Sequence, residues 1–280
     1  MGKVKFTLVE LMIYNAGLEV RDGELVMVGQ GVPMVACGLA KKFHAPNATL
    51  LTEAGLVDIA PYRSPLHIAD PTCTPGFSYA CDLVDIFTTV LNRGYVDVCF
   101  LGVGQVDKYG NMNSTTIGDY FHPKMRMMGA GGAPDFGVYS KRTVLTMRGG
   151  KFVEKLDYFT TPGWLTGGDS KVRAGLPDTG PEVLINSKGV FRFPAPEHEL
   201  TLVTLHPGVK LEEVQKQIPW KLKTAEKVGI SPVPSLEAVD FVRSFDPTLT
   251  AGRKLGLELS LKATMRRIQA QQNKAPKAGT

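Results

Sequence analysis

The sequence predicts an α/β protein: an open, mostly parallel sheet with helices on both faces. Three observations carry this. Short runs around residues 24–28, 48–52 and 96–102 are apolar almost throughout, without the alternation of a strand that has one wet face. Stretches with helical spacing of apolar residues separate them. Glycine or another turn-forming residue closes each unit, so the strands are joined through helices and pair in parallel.

Taken in order, residues 7–17 (TLVELMIYNAG) space their apolar side chains as one helical face, and Gly17 is expected to cap that helix. ELVMV then reads as a buried strand, GQG as a tight turn, and Pro33 as an opening residue of a second helix, since its missing N–H costs nothing in a first turn. ATLLTE is a second short strand. Residues 79–93 (YACDLVDIFTTVLNR) read as a helix stopped by Gly94, and VDVCFLGVGQVD as a strongly apolar strand running into glycines. Further on, RTVLTM, EVLIN, VFRF and ELTLVTL are short β-like runs, with helical segments near 210–216 and 235–243. Residues 105–137 are rich in glycine, polar residues and methionine but lack periodicity, and loops of that length inside compact domains are usually functional or disordered. No internal repeat or linker divides the chain, so one domain is expected over 1–250, followed by a basic C-terminal helix and a fraying tail over 251–280.

Composition is that of an ordinary globular chain of 280 residues, 43% hydrophobic and 21% charged. The formal net charge of +5 is not spread over the body. From residue 252 onward, seven basic residues face Glu258 alone, which leaves the remainder close to neutral. The tail has neither aromatic interleaving nor a recognised DNA-binding motif, so neither a nucleic-acid partner nor a membrane partner is expected. No apolar run is long enough to span a bilayer, and Glu10 interrupts the N-terminal apolar segment before it could act as a signal peptide. Cys37, Cys73, Cys81 and Cys99 lack CxxC spacing and histidine partners, and they read as reduced thiols of a cytoplasmic protein.

The chemistry is sought where predicted strands end, because open α/β sheets bind ligands beyond the carboxyl ends of their strands. One such strand ends in Gly29-Gln30-Gly31, one in Glu53-Ala54-Gly55, and one in Gly102-Val103-Gly104-Gln105. A carboxylate delivered by a buried strand into a small-residue turn stands among unobstructed backbone N–H groups. It could serve as base, metal ligand or nucleophile. Asp58, Asp70, His67 and His122 form no ligand pattern, so no metal is expected. A second carboxylate across a sugar cleft remains open as a glycosidase arrangement. Nucleophilic attack needs chiefly water exclusion and amide donors, which glycine turns supply. The lone GxG at 29–31 lacks the third glycine of a dinucleotide fingerprint, and GxxxxGK[ST], HExxH and GxSxG are missing. Ser114, Thr115 and Thr116 line a pocket or satisfy their own loop; His122 and Trp164 read as structural.

These motifs carry a family resemblance. TEAGLVD at 52–58 is similar to the strand-end segment of family I coenzyme A transferase β subunits, where a glutamate precedes a small or polar residue and glycine. GYVDVCFLGVGQVDKYGNMNSTTIGDY at 94–120 resembles that family's stretch with a D-x-x-x-L/I-G-x-x-Q-[VI]-D-x-x-G-N core. GAGGAPD at 129–135 matches G-x-G-G-A-M-D with Pro134 in place of methionine. KRTVLTM, DYFTTPGW, NSKGVFRF and LHPGV continue the order, so the likeness runs collinearly from about residue 8 to about residue 247, nearest to the glutaconate type.

The resemblance implies a CoA-transferase-like three-layer sandwich and a β subunit that moves CoA between short carboxylic acids, with dicarboxylic acids one open option. It implies Glu53 as nucleophile, passing through a mixed anhydride and a glutamyl-CoA thioester. Oxyanion and substrate contacts are expected from Gly131, Gly132, Gly29, Gly31, Gly104, Gln105, Asn113 and Ser114. Coenzyme A enters as the acyl-CoA substrate, and an α subunit completes an (αβ)n hetero-oligomer. Thioester hydrolysis or C–C bond cleavage on the same scaffold is the alternative, because fold alone does not set the reaction.

Overall fold

The first helix, expected over residues 7–17 from its apolar spacing, is capped by Thr7. Its side chain accepts from the Glu10 N–H at 3.2 Å, and Glu10 returns a carboxylate oxygen to the Thr7 N–H at 2.7 Å, a closed capping box. The computed structural model describes residues 4–246 together with Met265, Arg266 and Gln269. Within these, helix α1 (Leu8–Gly17) is followed by β1 (Leu25–Val28), α2 (Val32–Phe43), and three short strands, β2 (Thr49–Leu51), β3 (Leu56–Val57) and β4 (Tyr79–Ala80). Next come α3 (Leu83–Asp85), which runs on as a π-helical turn over Ile86–Leu91, and β5 (Val98–Gly102). The glycine-rich stretch folds into β6 (Gln105–Val106), β7 (Met112–Asn113), β8 (Thr116–Gly118), β9 (Pro123–Arg126) and α4 (Ala133–Tyr139). The remainder is β10 (Arg142–Met147), β11 (Lys151–Phe152), α5 (Ser170–Arg173), β12 (Gly180–Asn186), β13 (Gly189–Arg192), β14 (Thr201–Leu205), α6 (Leu211–Gln215), β15 (Lys223–Ile230) and α7 (Leu236–Phe245).

Ten strands form one sheet in the order β15-β14-β13-β12-β10-β5-β1-β2-β3-β4. From β12 to β2 every pairing is parallel, as is β14 with β15, while β12-β13-β14 and β2-β3-β4 turn antiparallel at the flanks. The mostly parallel α/β sheet of the sequence reading is therefore the observed fold. Its two faces are visible in single strands. Val26, Val28, Val98, Phe100, Val144, Val183 and Ile185 enter the core under α1, α2 and α7. Met27, Cys99, Leu101, Leu145 and Leu184, one residue out of phase, enter the opposite core with Ile86, Leu91, Phe136 and Val214. Burial on both sides is why these runs show no alternation.

Local differences have physical causes. Gly17 is the last residue of α1 rather than a left-handed cap, for Leu18 follows in right-handed geometry. Its role is packing: a Cβ there would lie 2.9 Å from the Ala36 carbonyl oxygen of α2. Residues 79–80, expected in a helix, pair with β3 instead, and the helix starts after Asp82, whose carboxylate accepts from the Asp85 N–H at 2.8 Å. β15 escapes sequence reading because this sheet-edge strand carries three lysines or glutamates that serve solubility, not a buried face. Glu10, which breaks the apolar N-terminal run, is almost wholly buried and pairs with Arg243 of α7 at 2.6 Å. The four cysteines named above are free thiols. No described helix is long and apolar enough to cross a membrane. The basic C-terminal helix and tail expected over 251–280 lie outside the described residues apart from Met265, Arg266 and Gln269; Arg266 pairs with Asp240 at 2.7 Å.

Gly17→Ala should force α1 from α2 and destabilise the protein by about 1–3 kcal/mol, read as a lower urea midpoint with an unchanged m-value.

Candidate active site

The parallel pairing of β2, β1, β5 and β10 brings their carboxyl ends to one side of the sheet, so the three strand ends singled out in the sequence are neighbours. Beyond β2 the chain does not proceed to a helix. It reverses over Thr52–Gly55, closed by Gly55 N–H to Thr52 O at 3.1 Å and by Thr52 N–H to Leu56 O at 3.0 Å, and returns as β3. Glu53 thus stands at the tip of a tight hairpin. Gly55 makes the reversal possible: its φ is +96°, and a Cβ would come within 1.9 Å of the Cys81 carbonyl oxygen.

The half-buried Glu53 side chain reaches across to the loop before α4, where Oε2 accepts the Gly132 N–H at 3.0 Å. Gly131, with φ +50°, lies alongside, its Cβ direction 3.6 Å from Glu53 Oε1. Gly132 has no room for a side chain. A Cβ would sit 2.6 Å from Oε2, 2.5 Å from Phe87 Cζ and 2.6 Å from Phe136 Cζ. Those rings stack with centroids 5.2 Å apart and wall the carboxylate on its apolar side. Phe87 belongs to the π-helical turn, a distortion often found at functional sites. Sequence reading had no access to these two rings, since nothing in their local pattern separates them from core residues.

The other expected site residues divide into two groups. Gly29 and Gly31 lie in the β1–α2 turn: Gly29 permits the close approach of the Phe100 carbonyl oxygen, 2.9 Å from where its Cβ would be, and Gly31 at φ +78° starts α2. Their close approaches and hydrogen bonds run to Phe100 and Val35, not to Glu53. Gly104, Gln105, Asn113 and Ser114 form a scaffold. Gln105 Oε1 accepts from Asn113 Nδ2 at 2.7 Å and from the Asp157 N–H at 3.1 Å, while its Nε2 donates to Asp157 at 3.0 Å. Buried Asn113 also holds the Thr115 and Thr116 N–H groups on its Oδ1. Gly104 donates to the Asn113 carbonyl at 3.1 Å and has Met127 Sδ 2.2 Å from its missing Cβ. Ser114 donates through Oγ to Gly129 O at 2.9 Å and accepts the Gly129 N–H on its carbonyl at 3.0 Å. This chain of bonds ends two residues before Gly131. Trp164 packs face to face on His198 at 3.7 Å, and exposed His122 lies beside Asp119.

A thiol also borders the hairpin: Cys81 Sγ contacts the Gly55 carbonyl at 3.6 Å. Burial, and then the Asp85 and Asp82 carboxylates, push this thiol up, so it stays protonated and weakly nucleophilic at neutral pH. Among the described residues no three His, Cys, Asp or Glu side chains gather as metal ligands would.

A carboxylate at a hairpin tip, bonded to a glycine amide and flanked by aromatic rings, defines a site suited to acyl capture on an α/β sheet. Residues 9–217 match the coenzyme A transferase family model, and the chain belongs to that family. It is 33% identical over 244 residues to the B subunit of 3-oxoadipate CoA-transferase from Pseudomonas knackmussii, covering 86% of this chain and 94% of that one. It is 31% identical over 253 residues to the B subunit of glutaconate CoA-transferase from Acidaminococcus fermentans, covering 86% and 93%. The crystal structure of the latter organism's glutaconate CoA-transferase superposes with a TM-score of 0.81 at 30% identity, over 88% of this chain and 97% of that one. The decarboxylase AibA/AibB, at 23% identity and a TM-score of 0.71 over 87% and 96%, shares the fold. The chain is a CoA-transferase of the B-subunit type, and the family's substrates are CoA thioesters.

Gly132→Ala should displace Glu53 and cut CoA transfer by about 100-fold or more, measured on the assembled enzyme, because neither the carboxylate nor the two rings can yield without leaving the site.

Proposed function

We propose that this chain is the nucleophile-bearing subunit of a two-component transferase that exchanges CoA between short carboxylic acids, with Glu53 as the covalent carrier. The observation that carries the reading is the Glu53 carboxylate at a rigid hairpin tip with Oε2 on the Gly132 N–H. A Glu53 oxygen attacks the thioester carbonyl, and the tetrahedral intermediate expels CoA thiolate to leave an acyl-glutamyl anhydride. The thiolate then attacks the Glu53 carbonyl carbon; the first acid departs as its carboxylate and Glu53 becomes a CoA thioester. An acceptor carboxylate reverses both steps and restores Glu53. Acyl activation is conserved throughout, so no nucleotide is hydrolysed.

The Gly132 amide supports this sequence in a particular way. During attack on Glu53 itself, Oε2 takes up the negative charge, and its hydrogen-bond donor is already in place at 3.0 Å. A preorganised donor of this type is worth about 2.7–4 kcal/mol of barrier. Gly131, whose Cβ direction comes within 3.6 Å of Oε1, would serve the acyl oxygen in the first attack. Gly104, Gln105, Asn113 and Ser114 act by holding that loop, and Gly29 and Gly31 by keeping the neighbouring strand end free of side chains.

Water must be kept from the anhydride and the thioester. Leu83 and Val84, on the same helical segment as Phe87, are 54% and 61% exposed, and Tyr79 on β4 is 60% exposed. An α subunit lying over this apolar rim would close the site, in line with the subunit designation of the two relatives.

Glu53→Gln should reduce transfer by about 1,000-fold or more. Incubating the assembled wild-type enzyme with acyl-CoA alone should leave CoA covalently on the peptide that contains Glu53, read by mass spectrometry. Full transfer by the Gln variant would refute the assignment, and thioester loss that needs water but no acceptor acid would favour a hydrolase. The isolated chain should show less than about 1% of the assembled rate, measured before and after adding the α subunit; full activity alone would contradict the two-component reading.

A further inference from the structure

β2 is paired with β1 over three residues, but on its outer side the Glu53 hairpin rests on very little sheet. Strands β2 and β3 share a single paired position, Leu51 with Val57, and β3 pairs with β4 over two residues. What holds the base of this hairpin is a set of side chains outside the reacting groups. Lys41, near the end of α2, donates through Nζ to the Ala48 carbonyl at 3.0 Å, on the residue before β2, and also to Asp58 Oδ1, on the residue after β3. One ammonium group therefore bridges both ends of the hairpin. Asp58 Oδ2 accepts the Ser78 hydroxyl at 2.9 Å, and the Ser78 N–H bonds to Val57 O at 3.0 Å, which brings in the segment leading to β4.

Asp58 also stands at φ +60°, a left-handed conformation that a non-glycine residue keeps only where its surroundings over-determine it. That conformation turns the chain so that Ile59 N–H can still bond to Leu50 O at 3.0 Å, sealing the hairpin behind its last pair. Neither side chain is fully buried: Lys41 is 24% and Asp58 35% exposed. An exposed ion pair contributes little to global stability. Its geometric effect is larger, because displacing a reacting group by about 1 Å can cost 100-fold in rate.

We propose that Lys41, Asp58 and Ser78 form a brace that positions the nucleophile, setting the height and direction of the Glu53 turn relative to the Gly132 amide. Lys41 and Asp58 are positioning residues: they touch no reacting atom and act through the hairpin. The inference rests on Glu53 being the nucleophile.

The assembled enzyme carrying Lys41→Met, Asp58→Gly, both changes together, or Lys41→Arg provides the test. Glycine at 58 retains the left-handed backbone while removing the carboxylate, which separates loss of the brace from loss of the turn. The expected result is a kcat lower by about tenfold in each single variant, with KM for acyl-CoA within about twofold. The double variant should fall no further than about twofold below the worse single one, as groups acting as a unit do. Lys41→Arg, which still offers donors to both oxygens, should recover most of the rate. Exchange of the Thr52 and Gly55 amides should quicken in Lys41→Met. Wild-type kcat in both single variants would overturn the brace. So would additive losses in kcat and KM with a lower unfolding midpoint and no recovery by arginine, since that pattern belongs to a merely structural contact. Failure of the nucleophile assignment appears elsewhere, as absence of the CoA adduct in the wild-type enzyme, whereas failure of the brace appears only in the variants.

Discussion

The hydrogen bond from the Gly132 amide to Glu53 Oε2 joins two loops that are 79 residues apart in sequence, and most of the architecture serves to make it possible. It needs β2 and β5 on either side of β1, so that the hairpin after β2 and the excursion after β5 leave the sheet on the same side. It needs Gly55 to reverse the chain within four residues against the Cys81 carbonyl. It also needs position 132 bare, since the nearest atoms of Glu53, Phe87 and Phe136 all lie within 2.6 Å of where a Cβ would be. Three different segments thus converge on a point that only backbone can occupy. A backbone donor has a further advantage over a side chain here: it cannot rotate away, and it carries no proton that the chemistry could remove.

Rigidity at that point is built from the inside of the sheet outward. Phe100 and its neighbours on β5 are buried on both faces, and from this strand the chain runs through Gly104 and Gln105 to the buried amide of Asn113. Asn113 fixes Thr115 and Thr116, Ser114 fixes Gly129, and the loop then needs only two more residues to reach Gly131. Buried amide networks of this kind are costly when incomplete and stiff when satisfied. The region that lacks periodicity in the sequence is therefore not slack. Its order comes from side-chain hydrogen bonds rather than from a repeated backbone pattern.

That distinction explains what the sequence revealed. α1, α2 and the central strands were legible because periodicity and apolar runs are local quantities, and Pro33 signals the first turn of α2 within a few residues. Glu53 was legible because a carboxylate at the end of a buried run is locally out of place. The short strands β6 to β9 were not, since each owes its existence to partners supplied from elsewhere, and β15 was hidden by its charged edge. Gly17 was recognised as special and given the wrong reason: a glycine at a helix end invites a capping argument, and only the proximity of Ala36 reveals close helix packing. Phe87, Phe136, Lys41 and Asp58 belong to the same class. Their meaning lies in distances across the fold.

Transfer, hydrolysis and decarboxylation are all consistent with this sheet, and the decarboxylase of the same fold shows how little the fold itself decides. What separates transfer from hydrolysis is whether water reaches an acylated carboxylate before an acceptor acid does. Within this chain the stacked rings of Phe87 and Phe136 lie on one side of Glu53, yet Gly131 is exposed and Glu53 itself only half-buried. One side is apolar and the other is open. A carrier of activated acyl groups cannot work in that condition, because the open side admits solvent at a concentration no carboxylic acid matches. With Glu53 as the proposed acyl carrier, the closure would come from a surface that arrives with, or before, the thioester. Exposed Tyr79, Leu83 and Val84 on the hairpin's own flank are the groups whose burial against such a surface would be favourable, at about 25 cal/mol per Å² of apolar area. Exclusion of water and assembly of subunits would then be a single event, and a chain with a complete nucleophile would still depend on its partner for the outcome of the reaction.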